Sequence, residues 1–180
     1  MSVGRRREPL DDDRGVEICT DRLLLRRFTL EDADFIVELV NDPDWLRNIG
    51  DRNVRTLDDA RTYLANGPLA LYERLGFGLY LVALKETGER IGMCGLVKRD
   101  GLDHVDIGFA FLPAWRGKGF AEESARAVLG HARELGLEKV VAIVSPGNVP
   151  SIRLLERIGM RAAGPVRLPR NGDAVLLYES

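Results

Sequence analysis

The run Arg116-Gly117-Lys118-Gly119-Phe120-Ala121 has the residue types of a diphosphate site. Two glycines let a ligand approach the backbone closely. Arg116 and Lys118 bring positive charge. A helix is expected to start near Phe120, and the first turn of a helix offers unpaired N–H groups at the positive end of its macrodipole. Such an N-terminus suits a phosphate. Two other phosphate loops do not match the letters. A P-loop needs Ser or Thr directly after its Lys to hold magnesium, and here Gly119 and Phe120 follow Lys118. A dinucleotide fingerprint needs a third Gly or Ala where this chain has Glu122.

Other polar residues have a structural reading beside a chemical one. Asp106 in a strand can pair across its hairpin or cap a neighbour. Asn148 has the type of a helix N-cap. Ser151, in the first turn of the same helix, can bond to the local backbone. Arg47 and Arg52 either meet a carboxylate or face water. His104 and His131, with Cys19 and Cys94, show no tight ligand spacing, so no metal site is expected. Both cysteines lie in apolar runs and are expected to be buried thiols.

The elements that position these residues follow from periodicity. Leu23–Phe28 reads as a strand. Thr29 followed by Glu31 and Asp32 signals a helix start, with Phe35, Ile36, Leu39 and Val40 at helical spacing, ended by Asn41-Asp42-Pro43. Thr56-Leu57-Asp58-Asp59 opens a second helix through Leu64, with further helix toward Tyr72. Trp45, Tyr63 and Tyr72 fall in this region, and two of the three are expected in the core. Phe77–Leu84, Arg90–Lys98 and Val105–Leu112 read as strands. Asp100-Gly101 signals a tight two-residue hairpin between the last two. The helix from Phe120 to Leu135 presents Ala121, Ser124, Ala125, Val128, Leu129 and Ala132 as one apolar stripe. Val140–Val144 reads as an inner strand. Ser151–Ile158 reads as a helix ended by Gly159. Two strands follow, around 161–168 and 174–178. The expected fold is mixed α/β (α+β), a twisted sheet of about seven strands with helices on both faces, in the order β-α-α-β-β-β-α-β-α-β-β.

The chain has 180 residues, enough for one domain, assigned to 17–180 with a mobile tail at 1–16. A net charge of -2 gives no field for nucleic acid or an anionic membrane, so neither is an expected partner. No apolar run is long enough to span a bilayer, and the start lacks a signal peptide's apolar stretch, so the cytoplasm is the expected compartment.

Arg116, Gly119 and Ala121 stand at the spacing of the coenzyme A motif of the GNAT N-acetyltransferase superfamily, and the loop resembles it. Thr20–Arg26 resembles the opening strand of the branch that contains ribosomal-protein N-terminal acetyltransferases. Asp106-Ile107-Gly108-Phe109 ahead of Pro113–Gly119 resembles that branch's fourth strand and loop. Pro146-Gly147-Asn148-Val149-Pro150-Ser151, continuing to Met160, resembles its Pro-x-Asn-x-x-Ser helix. The resemblance covers residues 19–179 in order.

It implies direct transfer of acetyl from acetyl-coenzyme A (acetyl-CoA) to a primary amine in a ternary complex. The backbone of Phe109, Ala110 and Phe111 would pair with the pantetheine. Gly117, Lys118, Gly119, Phe120 and Ala121, with Arg116, would hold the pyrophosphate. The oxyanion donor would be a backbone N–H at a bulge, at Phe109 or a neighbour. Asp106 stands where relatives carry Glu and would act as base through a water. Ser151 would protonate the leaving thiolate or position the coenzyme, and Asn148 would cap its helix and contact the coenzyme. A protein N-terminus leads as acceptor. A small-molecule amine (polyamine, amino acid or antibiotic) is the alternative, and a non-catalytic coenzyme A sensor is a third reading. A homodimer is a family-level expectation.

Overall fold

The computed structural model describes residues 15–169 and 172–180. Positions 1–14 of the expected tail lie outside the described residues. Eight strands form one sheet: β1 (Val16–Cys19), β2 (Leu23–Arg27), β3 (Leu79–Leu84), β4 (Arg90–Val97), β5 (Val105–Phe111), β6 (Val140–Val144), β7 (Arg161–Arg167) and β8 (Ala174–Glu179). The spatial order is β1-β2-β3-β4-β5-β6-β8-β7. Every neighbouring pair is antiparallel except β5 and β6. The added strand is β1, which pairs with β2.

Alternation along the strands divides the core. Leu23, Leu25, Tyr80, Val82, Cys94, Leu96 and Ile107 face α5 (Phe120–Glu134) and α6 (Val149–Arg157). Leu81, Ala83 and Met93 face α1 (Ala33–Val40), α2 (Pro43–Asn48) and α3 (Leu57–Leu64). The expected stripe of α5 is buried at Ser124, Ala125, Val128, Leu129 and Ala132 and half-buried at Ala121. Trp45 and Tyr72 are buried in the core, and Tyr63 packs against it half-buried.

Four expectations are corrected. Asp42-Pro43 does not leave a loop. Asp42 caps α2 by accepting from the N–H groups of Asp44 and Trp45, and Pro43 takes the first helical position, where its missing N–H costs nothing. The β4–β5 connection is wider than a two-residue hairpin, because Gly101 has positive φ and Asp100 does not. Arg99 leaves the ladder there to reach Asp106, and Lys98 donates to the carbonyls of Leu102 and Asp103. Cys19 is exposed at the sheet edge, while Cys94 is buried and its thiol is pushed up to about 12 by desolvation. Finally, pairing of β5 with β4 runs unbroken from Gly92↔Phe111 to Val97↔Asp106, so β5 carries no bulge against that neighbour.

The segment Ala65–Leu69 is a π-helical turn that joins α3 to α4 (Ala70–Leu75). Pro68 sits inside it. Its missing N–H and bulky ring break α-helical pairing, and the wider turn accommodates both. Among the described residues no helix is long and apolar enough to cross a membrane.

Candidate active site

The sheet opens between β5 and β6. The two strands pair only at Val105↔Val140 and Asp106↔Val141. Leu112 N–H donates to Ile91, and the β4–β5 register alternates from there. The N–H groups of Ile107, Phe109 and Phe111 therefore point away from β4, toward the edge that β6 has left. Ala110 turns its backbone groups toward β4. Phe109 and Ala110 are half-buried although they lie in mid-sheet.

Because β5 and β6 are parallel, the helices that follow both begin at the open end of this split, the position where open α/β sheets hold ligands. Gly119 is the N-cap of α5, with φ +81 and no side-chain cap. The first amides of α5 thus keep free donors. Gly117 also has positive φ, and a Cβ there would meet nothing within 4 Å. The loop is bare where a pyrophosphate would lie. Lys118 Nζ rests 4.8 Å from the Trp115 ring centroid. Two carboxylates in the first turn of α5 would repel an anion if unpaired, but both are engaged. Glu123 accepts from Thr20 Oγ1 at 2.6 Å and from Arg22 Nε at 2.6 Å. Glu122 pairs with Arg126 and Arg157.

Arg22 was not legible as a site residue. Its guanidinium stacks on Phe120, donates to the Lys118 carbonyl, and comes within 3.3 Å of where a Gly119 Cβ would be. Nothing in local spacing signals this, since Arg22 arrives from the turn between β1 and β2. Arg116 keeps its side chain out of the loop: Nε donates to the Phe111 carbonyl, and the two Nη groups pair with Asp42 and Asp44 of the α2 start.

At α6, Asn148 Oδ1 accepts from Ser151 N–H at 3.4 Å, so Asn148 is the N-cap. Ser151 is half-buried in that first turn. Ser145 Oγ, just before it, donates to the Asn48 carbonyl at the end of α2.

The sequence profile of the acetyltransferase (GNAT) domain matches residues 22–161. This chain belongs to the GNAT acetyltransferase family. The uncharacterized N-acetyltransferase YnaD of Bacillus subtilis is 31% identical over 150 residues, covering 83% of this chain and 85% of YnaD. The acetyltransferase from Agrobacterium tumefaciens superposes with a TM-score of 0.78 at 26% identity, covering 97% of this chain and 99% of that one. A Salmonella typhimurium acetyltransferase that modifies the N-terminal serine of a 50S ribosomal subunit protein superposes with a TM-score of 0.73 over 89% of this chain and 95% of that one. At 19% identity that likeness shows the fold alone. As a GNAT domain, the chain is an acetyl-CoA-dependent acyltransferase. The split sheet and the bare loop are of the kind that donor requires: unpaired strand edge for an amide-bearing arm, free helix amides for a diphosphate.

On the helix α1–α3 face of the sheet, the GNAT domain has a cavity of about 550 Å³. Arg52, Asn53, Tyr63, Asn66 and Arg99 line it, with Leu79 and Val97 as part of its floor. Leu79 pairs with Gly95, and Gly95 with Gly108 of β5. The cavity thus reaches to within a strand of the split. Asp106 lies behind its wall, 1% exposed, with Oδ2 held at 2.8 Å by Arg99 Nε. Burial pushes the Asp106 carboxyl above its ordinary range, against the pull of Arg99. Two buried side-chain atoms lack a hydrogen-bond partner among the described residues, Arg52 Nε and Asp106 Oδ1, and both belong to this corner.

Proposed function

We propose that the chain transfers acetyl from acetyl-CoA to a primary α-amine, with a protein or peptide N-terminus as the leading acceptor. The observation that carries this reading is the cationic cavity beside β5. An ammonium must lose a proton before it attacks. A free α-amine has a pKa of about 8 and a lysine about 10.4. Arg52 and Arg99 outnumber the one ionised carboxylate of the cavity wall, Asp59, so the wall on balance disfavours an ammonium and lowers its pKa further. That assistance brings an α-amine to neutrality near physiological pH and leaves a lysine short of it. A free small molecule with an α-amine is the second reading, favoured by the size of the cavity.

The residues divide the work. Phe109 and Phe111 hold the arm of the coenzyme along the free edge of β5, beside Ala110. The Phe109 N–H points into the split and stabilises the oxyanion that forms there. The amides of Gly117 to Ala121, with Lys118 and Arg22, hold the pyrophosphate. Arg116 acts through the backbone and through α2. Asp106 takes the amine's proton through one bridging water, because it does not line the cavity itself. Ser151 donates to the leaving sulfur, and Asn148 fixes the helix turn that presents it. No step requires a metal.

The test uses peptides in which either the α-amine or a lysine side chain is the one free amine. Coenzyme A release from the free α-amine peptide, with none from the lysine peptide, is the expected result. Release with the lysine peptide alone would overturn the reading.

A further inference from the structure

We infer that the acceptor carries a carboxylate beside its amine, and that Arg52 and Arg99 hold it. The inference rests on the α-amine reading above. Arg52 makes no hydrogen bond or ion pair among the described residues, and its Nε is buried without a partner. Arg52 as a whole is half-buried and lines the cavity, so the ends of its guanidinium, which have no protein partner among the described residues, are what an entering anion would meet.

Its placement is built by the local backbone. Asp51 Oδ1 accepts from Asn53 N–H at 2.8 Å, and Asn53 holds φ 55, a left-handed conformation that no other non-glycine residue adopts among the described residues. This turn sets Arg52 in the cavity wall. Arg99 is oriented from behind. Its Nε is engaged by Asp106 at 2.8 Å, and its two Nη groups have no partner among the described residues. Burial raises the Tyr63 phenol, and the charges of both arginines act on it, so it stands within the field of both.

The opposing charges are outnumbered. Asp59 lines the cavity and stays ionised, its Oδ2 held by the N–H groups of Arg55 and Thr56 in the capping box of α3, so the wall sets two guanidinium charges against one carboxylate. Asp106 is shielded by Arg99. The wall therefore presents guanidinium donors to whatever enters, and planar forks of this kind match a carboxylate in bidentate fashion. A cavity of about 550 Å³ takes an amino acid or the first residues of a peptide.

The experiment measures kcat/KM by coenzyme A release for matched probes. One pair is a free amino acid and its carboxamide, and another is an N-terminal Ser-Glu peptide and its Ser-Gln counterpart. An aminoalkyl phosphonate is added as a third anion. The carboxylate member of at least one pair is expected to win by tenfold or more, and the winning pair tells whether the carboxylate is the amino acid's own or a neighbouring side chain's. Arg52→Gln should collapse that preference about tenfold and leave acetyl-CoA affinity unchanged. Arg52→Lys should restore part of it, because a point charge lacks the fork. Equal use of both members, a preference that survives Arg52→Gln, or a phosphonate favoured over the carboxylates would each overturn the inference. If lysine peptides react and no α-amine probe does, the α-amine reading itself falls and takes this inference with it.

Discussion

Arg116 Nη2 lies 2.6 Å from Asp42 Oδ2, joining the glycine loop ahead of α5 to the cap of α2. The carboxylate that receives Arg116 is the same one that accepts the first N–H groups of α2. The loop ahead of α5 and the start of α2 are thereby set relative to each other by one buried acid. Ser145 adds a second tie to α2 from the β6–α6 turn.

This joint predicts coupling between Arg116 and Asp42. A double-mutant cycle of Arg116→Ala and Asp42→Ala, read by urea denaturation, should give an interaction energy of about 1–2 kcal/mol. Arg116→Ala alone should raise KM for the amine as well as for acetyl-CoA, because α2 loses its anchor. An effect confined to acetyl-CoA would mean that Arg116 serves the coenzyme directly.

Gly119 holds φ +81 at the head of α5. Gly119→Ala should cost about 1–2 kcal/mol of stability, since a Cβ is disfavoured in that conformation. Gly119→Glu should cost a similar amount and also weaken acetyl-CoA binding at least a hundredfold, because it sets an anion at the proposed diphosphate site. Circular dichroism separates loss of fold from loss of ligand.

Asp106 gives the pH prediction. Its carboxyl is raised by burial despite Arg99. The folded value exceeds the unfolded one, so ionising Asp106 costs the native state. Its contribution to stability falls as pH rises from about 3.9 through the folded pKa. Asp106→Asn should remove that slope from urea midpoints measured across pH. If Asp106 takes the amine's proton, the same substitution lowers kcat about a hundredfold and erases the acid limb of its pH profile. Loss of rate with the limb intact would assign Asp106 to holding Arg99.

Ser151→Ala should lower kcat about tenfold while acetyl-CoA affinity changes less than threefold, as expected for a donor to the leaving sulfur. A thiolate with a pKa near 8.5 can leave unaided. Unchanged kcat would therefore return Ser151 to the helix turn that Asn148 caps.

What was legible in the sequence was local. The stripe of α5, the glycines at its head and the Asn148 cap depend on residues within a few positions of one another, and periodicity and turn chemistry report them. Asp42-Pro43 carries two signals at once, a stop after Val40 and a cap with proline at the first position of α2, and the stop masks the cap. The site's electrostatics were not legible. Arg22 reaches Glu123 and the Lys118 carbonyl from the β1–β2 turn, and Arg116 turns to acids far back in the chain. The wide β4–β5 connection was hidden because Asp100-Gly101 carries a strong turn signal, while the departure of Arg99 toward Asp106 is a tertiary choice. The split between β5 and β6 is a matter of register, and an apolar run such as Val140–Val144 does not say how much of its partner it pairs.

The central claim is that the split sheet and the bare loop at α5 hold acetyl-CoA. Isothermal titration of the folded protein with acetyl-CoA, alongside Gly119→Glu, tests it most directly. Micromolar binding by the natural chain, lost in the variant, is the predicted result. Binding that the variant retains would place the coenzyme elsewhere, and no binding by the folded natural chain would contradict the claim.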